Sequence, residues 1–123
     1  MSDRIGGLGG VLIWTSSSRY PAMESFYVDV LGLEPRSRRP GFVNFDWDGT
    51  RLTLAVHSEV AGPARDALRI MINLLVDDID AVAARLASAG VRSRRAPERE
   101  EWGGWVCTFE DPDGNLLQLL QLQ

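Results

Sequence analysis

The stretch Asp111-Pro112-Asp113-Gly114-Asn115, followed by Leu116-Leu117-Gln118-Leu119-Leu120-Gln121, constrains this chain more than any other segment. Asp-Pro and Asp-Gly are turn-forming pairs, Gly supplies the positive φ of a tight hairpin, and the apolar run behind them is strand-like. The same signal occurs earlier as Trp47-Asp48-Gly49-Thr50 and then Arg51-Leu52-Thr53-Leu54-Ala55-Val56-His57. Two copies of one turn-plus-strand signal predict an internal duplication, and with it an architecture of two similar small modules.

The residues between the two signals fit that expectation. Residues 11–15 are β-branched or aromatic and predict a first strand. Ser16 to Arg19 form a polar loop, and Pro21 suits a first helical turn. Met23, Phe26, Tyr27, Val30 and Leu31 then fall at i, i+3, i+4, i+7 and i+8, one apolar helical stripe, with Gly32 as its C′ stop. A short segment at 36–39, a strand at 42–47, the Asp48-Gly49 turn and a strand at 51–57 complete the order β-α-β-β-β. Gly62 and Pro63 mark a linker over 59–67. The order then repeats, with a strand at 69–76 and a helix capped by Asp77 or Asp78. Ile79, Val82, Ala83, Leu86 and Ala89 form its apolar stripe, and Gly90 stops it. Arg92-Ser93-Arg94-Arg95 mirrors Arg36-Ser37-Arg38-Arg39, and strands at 105–109 and after the Asp113-Gly114 turn close the copy. Module one spans 9–58 and module two 68–122, sharing a single domain.

Charge and cysteine usage narrow the function classes. A net charge of −4 over 123 residues argues against nucleic-acid binding, which usually requires a basic surface. Cys107 stands alone, so no internal disulfide forms, as suits a reducing compartment. No apolar run reaches membrane-spanning length, and residues 1–7 lack the apolar core of a signal peptide. The expectation is a cytoplasmic protein with neither nucleic-acid nor membrane partners.

The paired βαβββ order, the phrase Phe26-Tyr27-Val28-Asp29-Val30-Leu31-Gly32-Leu33, the phrase Val76-Asp77-Asp78-Ile79-Asp80 and the Asp111–Asn115 turn together resemble the vicinal oxygen chelate superfamily. That group contains glyoxalases, extradiol dioxygenases, fosfomycin-resistance enzymes and bleomycin-resistance proteins, and the resemblance covers roughly residues 9–121. It implies an α+β fold in which two βαβββ modules form a curved eight-stranded mixed sheet around a cup, with helices outside, usually as a homodimer. It does not settle function, because this fold hosts several chemistries.

In metal-using members of that superfamily the ligands resemble a 2-His-1-carboxylate set on the first and fourth strands, with open positions for substrate oxygens. The resemblance carries the first-strand slot to a position near Gly10, the fourth-strand slots to Thr53 and Gln118, and the first-strand slot of module two to Met71. Gln118 stands where the metalloenzymes usually carry Glu. One neutral amide cannot hold a divalent ion. His57 lies four residues beyond Thr53, about 13 Å along a strand, too far to share a metal with it. Neither a metal nor another cofactor is expected. Cys107 reads as a small buried hydrophobe, since the sequence identifies no basic partner to activate it.

If Met71 and Gln118 face inward, alternation lines the cup with Leu12 and Trp14, with Arg51, Thr53 and His57, and with Asn73. The result is a mostly apolar wall with sparse polar points, the pattern of a small-molecule pocket. Trp102-Gly103-Gly104-Trp105 precedes a strand and has two readings. The tryptophans form a movable rim over a planar or cationic ligand, or Trp105 packs in the sheet and Trp102 seals an interface. The twin Arg-Ser-Arg-Arg runs have two readings, an anion-binding site or charged sheet edges that discourage aggregation, and the edge reading is favoured.

Three functions follow in order. The first is a metal-free binding protein of the bleomycin-resistance type, taking an apolar or aromatic small molecule. The second is a metal-independent enzyme using Arg51, His57 or a carboxylate for acid–base work. The third is a metal-dependent glyoxalase-like or dioxygenase-like enzyme, supported only by the fold and Gln118.

Overall fold

Each half of the chain begins with a strand whose hydrogen-bonding partner is the last strand of the same half. In the computed structural model, which describes residues 3–123, the first half runs β1 (Gly10–Thr15), α1 (Tyr20–Ser25), β2 (Ser37–Arg39), β3 (Phe42–Trp47) and β4 (Thr50–Val56). The second runs β5 (Met71–Leu75), α2 (Ile79–Ser88), β6 (Ser93–Arg99), β7 (Trp105–Glu110) and β8 (Leu116–Gln121). The sheet orders are β1-β4-β3-β2 and β5-β8-β7-β6. In each, the outer pair β1–β4 or β5–β8 is parallel and the remaining pairs are antiparallel. The eight strands are thus two mixed four-stranded sheets of one topology, with an α+β order of elements. The chain divides into two compact units, the first ending at Ala61 and the second beginning at Gly62.

Within the first unit, alternation sorts the side chains. Ile13, Val43, Phe45, Leu52 and Leu54 are buried, as are Met23, Phe26 and Tyr27 of the helical segment. Fully burying a side chain of this size contributes about 1.5–3 kcal/mol, so this layer holds the unit together. The helical stripe predicted from sequence departs from α geometry midway. A π-helical turn follows α1 over Phe26–Val30, closed by Leu31 N–H donating to the Phe26 carbonyl at 2.8 Å. Phe26 and Tyr27 are both buried in this turn, and Val30 is half-buried. Gly32 follows at φ 74°. Arg38 on β2 donates to Glu24 at 3.0 Å, and the Tyr20 hydroxyl donates to the other oxygen of Glu24 at 2.7 Å, tying the edge strand to the helix.

In the second unit, the Asp78 side chain caps α2 by accepting from Ala81 N–H at 3.1 Å. The Gln121 side-chain oxygen accepts from Ile79 N–H at 2.7 Å, so β8 also fixes where the helix starts. Ile79 and Leu86 are its buried residues, Val82 and Ala83 are half-buried, and Ala89 is exposed. The strand predicted from residue 69 begins at Met71, because Asp66 takes a left-handed φ of 52° and Ala67–Arg69 make one 3₁₀ turn.

The two echoing turns differ in build. Asp48 and Gly49 both have positive φ, 51° and 95°, and Trp47 pairs directly with Thr50, a two-residue hairpin of the primed type. The later turn needs five residues between Glu110 and Leu116. There the Asp111 carboxylate accepts from Asp113 N–H, Asn115 N–H and the Asn115 side-chain amide, each at 2.9 Å. Gly114 supplies φ 84°. The acidic motif therefore builds the hairpin.

Candidate functional site

Register decides which side chains of the first sheet stand together on the face opposite the buried layer. Leu12 pairs with Thr53, Trp14 with Ala55 and Gly10 with Arg51 along β1 and β4. Across β4 and β3, Thr53 pairs with Asn44, Ala55 with Phe42 and Arg51 with Asp46, and Arg39 on β2 pairs with Phe42. One row therefore reads Arg39–Phe42–Ala55–Trp14 and the next Ser37–Asn44–Thr53–Leu12. A cavity of about 660 Å³ opens along these rows, with Leu12, Trp14, Arg39, Phe42, Arg51 and Thr53 in its wall. Leu12 and Trp14 are 47 % and 42 % exposed, so this face offers apolar surface to a ligand.

The polar groups of the site are few and individually placed. Arg51 donates to Asp46 at 3.2 Å. The Arg39 guanidinium lies 3.7 Å above the centre of the Phe42 ring. Pro40 and Gly41, the latter at φ 73°, turn the chain between these two residues and so bring them side by side. Asn44 is 5 % exposed, and its side-chain oxygen has no donor among the described residues. A buried acceptor of this kind is normally satisfied by ordered water or by a ligand.

Of the residues singled out from sequence, Leu12, Trp14, Arg51 and Thr53 lie along this cavity. His57 does not line it. It follows β4, its ring meets Trp14 edge-on at 4.9 Å, and its Nδ1 accepts from Glu59 N–H at 3.0 Å. Neutral His57 therefore carries its proton on Nε2. Met71, Asn73 and Gln118 belong to the second sheet, where Asn73 and Gln118 are register partners and the Gln118 amide donates to the Asn73 side-chain oxygen at 2.9 Å.

The two tryptophans of the Trp102–Trp105 stretch are placed differently. Trp105 pairs with Gln121, which places it on the α2 side of the sheet with buried Cys107 and Phe109, opposite the face of Gln118. Trp102 folds back on its own turn, with its ring against Gly104. That turn is closed by Glu100 N–H to the Gly104 carbonyl at 2.8 Å and Gly103 N–H to the Glu100 carbonyl at 2.9 Å, so the glycines build a defined turn. Phe42 was not singled out from the sequence, and Arg39 was considered only as part of its arginine run. The signal was present: the Pro40-Gly41 pair predicts a turn that sets 39 opposite 42.

The residues at the four candidate metal slots do not fit a divalent ion. A Cβ on Gly10 would overlap the Arg51 carbonyl oxygen, so β4 main chain closes that slot to any side chain. Thr53 and Met71 bring no anionic or imidazole donor, and Gln118 offers one neutral amide oxygen. Among the described residues no three His, Cys, Asp or Glu side chains gather as a metal set. Cys107 is buried, and burial pushes its thiol above the ordinary value, with Asp80 adding to the effect. It is a poor nucleophile in this setting.

The comparisons with known proteins agree with this topology. Uncharacterized protein YraH of Bacillus subtilis is 29 % identical over 110 residues, covering 79 % of this chain and 85 % of that protein. A bleomycin resistance protein of Klebsiella pneumoniae is 45 % identical over a shorter stretch of 40 residues, 32 % of each chain. The crystal structure of a member of the glyoxalase/bleomycin resistance protein/dioxygenase superfamily from Sphaerobacter thermophilus matches with a TM-score of 0.69 at 27 % identity, over 95 % of this chain and 98 % of that one. The family model itself matches residues 15–119, from the end of β1 into β8, a span that takes in both helices and β2 to β7. With two βαβββ units in the expected order and a match of that length, the chain belongs to the glyoxalase/bleomycin resistance protein/dioxygenase superfamily.

Proposed function

We propose that this protein is a small-molecule-binding member of its superfamily that works without a metal, taking an apolar or aromatic compound against the open face of the first sheet. The observation that carries the reading is the 660 Å³ cavity, walled by Leu12, Trp14, Phe42 and Ala55 with polar groups only at Thr53 and the two arginines. Apolar walls with a few orienting polar groups suit a compound of drug-like size. The stretch shared with a bleomycin resistance protein supports a binding role of this kind. The closed Gly10 slot, and the lack of an anionic or imidazole donor at Thr53, Met71 and Gln118, support the metal-free part. Metal-independent acid–base catalysis gains nothing from the geometry, because His57 stands outside the cavity wall and is held by Glu59.

The test is titration of the protein with aromatic compounds, followed by tryptophan fluorescence and calorimetry. Trp14→Ala removes a stacking surface worth about 1–2 kcal/mol, so the dissociation constant rises roughly five- to thirtyfold. A second variant, Leu12→Arg, fills the same wall and blocks binding. Ligands whose affinity ignores both substitutions would show that this face is not the site.

A further inference from the structure

Two guanidinium groups line the cavity, and they differ in what surrounds them. Arg51 is neutralised by Asp46 at 3.2 Å. Arg39 has no carboxylate partner among the described residues; its contact is the face of Phe42, 3.7 Å away. An aromatic face holds the planar fork in one orientation without neutralising it, leaving its N–H donors available. Arg39 also shares its row with Ala55 and Trp14, so an ordered cation and an indole stand on the same open face. This occurs in a chain whose net charge is −4, where an uncompensated cation at a cavity wall has no general electrostatic cause.

We infer that the cavity of the first sheet selects aromatic or apolar compounds that carry a carboxylate, with Arg39 as the anion-binding residue and Trp14 with Phe42 as the flat wall beside it. The inference rests on the small-molecule reading above and adds the charge of the ligand to it. A carboxylate matches the fork of a guanidinium with two parallel hydrogen bonds, and a neutral or cationic isostere forfeits them. Charge-assisted hydrogen bonds are stronger than neutral ones, so the acid should bind at least about tenfold tighter than the matching alcohol.

The experiment uses three probes of one shape: naphthalene-2-carboxylate, 2-naphthalenemethanol and 2-naphthylmethylamine, titrated into the full chain at low salt. The expected order is carboxylate, then alcohol, then amine. Arg39→Gln brings the carboxylate-to-alcohol ratio close to one, and Arg39→Lys keeps part of it because the charge remains. Arg51→Gln changes the ratio less than Arg39→Gln does. Equal affinity for carboxylate and alcohol in the unmodified protein, or a ratio indifferent to Arg39→Gln, overturns the anion inference while leaving the cavity reading standing. A preference for the amine overturns it as well. If none of the three binds, the anion inference and the cavity reading fall together.

Discussion

The Trp102 indole lies against Gly104 so closely that a methyl group on that glycine would occupy the space of the ring. The tryptophan is 55 % exposed, yet its position is set by the turn it belongs to. Gly104→Ala should therefore unseat the ring, lower stability by about 1–3 kcal/mol and shift tryptophan emission to the red. Adding Trp102→Ala should restore part of the loss but not all, because the Gln121 carbonyl oxygen would also lie 2.7 Å from the new Cβ. Denaturant titration of the three variants checks this. A double variant no better than Gly104→Ala alone would mean that the ring does not rest there.

Protein purified without chelator should hold well under one divalent ion per chain, and chelation should leave its unfolding temperature unchanged. Gln118→Glu should not create a metal site, because the main chain closes the Gly10 position and the remaining slots carry Thr and Met. Elemental analysis decides it. One tightly held ion per chain, released by Gln118→Ala, would sink the metal-free reading.

Glu24 gives a pH prediction with a definite sign. Burial alone would raise its pKa, but the hydrogen bonds from Arg38 and Tyr20 outweigh it and hold the carboxyl below its ordinary value of 4.5. The stabilisation is therefore fully present above that ordinary value and is lost as pH falls through the depressed one. Glu24→Gln should cost about 1 kcal/mol or less at pH 7, and the gap to the unmodified protein should narrow below about pH 4.5. A gap that widens in acid would mean that the carboxylate is not the stabilised form.

A homodimer is expected in solution. Leu68, Ile70 and Leu75 of the second unit are 68 %, 77 % and 70 % exposed, a cluster in sequence that soluble chains usually cover. Sedimentation at tens of micromolar should give twice the chain mass, and Ile70→Asp should shift the distribution toward monomer. A monomer throughout that range would defeat the expectation.

The element order was legible because each strand and helix carries its own local signal, and the glycine stops at Gly32 and Gly90 both take positive φ. The face shared by Leu12, Trp14, Arg51 and Thr53 was legible as well, since the β1–β4 ladder runs from Gly10↔Arg51 to Thr15↔Val56 without a slip. For Trp105 the sequence left two readings open, because its face depends on counting back across the loop after β7. Only the five-residue length of that loop sets Glu110 opposite Leu116. Arg39 was read as an edge charge, and β2 is indeed an edge strand, but an edge residue still has a face. The π-helical turn had no local signal, since an i, i+3, i+4 stripe looks the same until packing widens it.

Because, among the described residues, β5 pairs only with β8 and β1 only with β4, the order of synthesis matters to each half differently. On a ribosome, β1 waits 41 residues for its partner and then has it while the second half is still unmade. β5 waits 45 residues, and its partner is the last strand to emerge. Loop closure over such spans is slow relative to local helix formation. A nascent chain stalled before residue 116 would thus carry the first sheet complete, the β6–β7 pair with one edge of β7 uncovered, and β5 with no partner, so exposure to proteases and aggregation during synthesis falls on the second half.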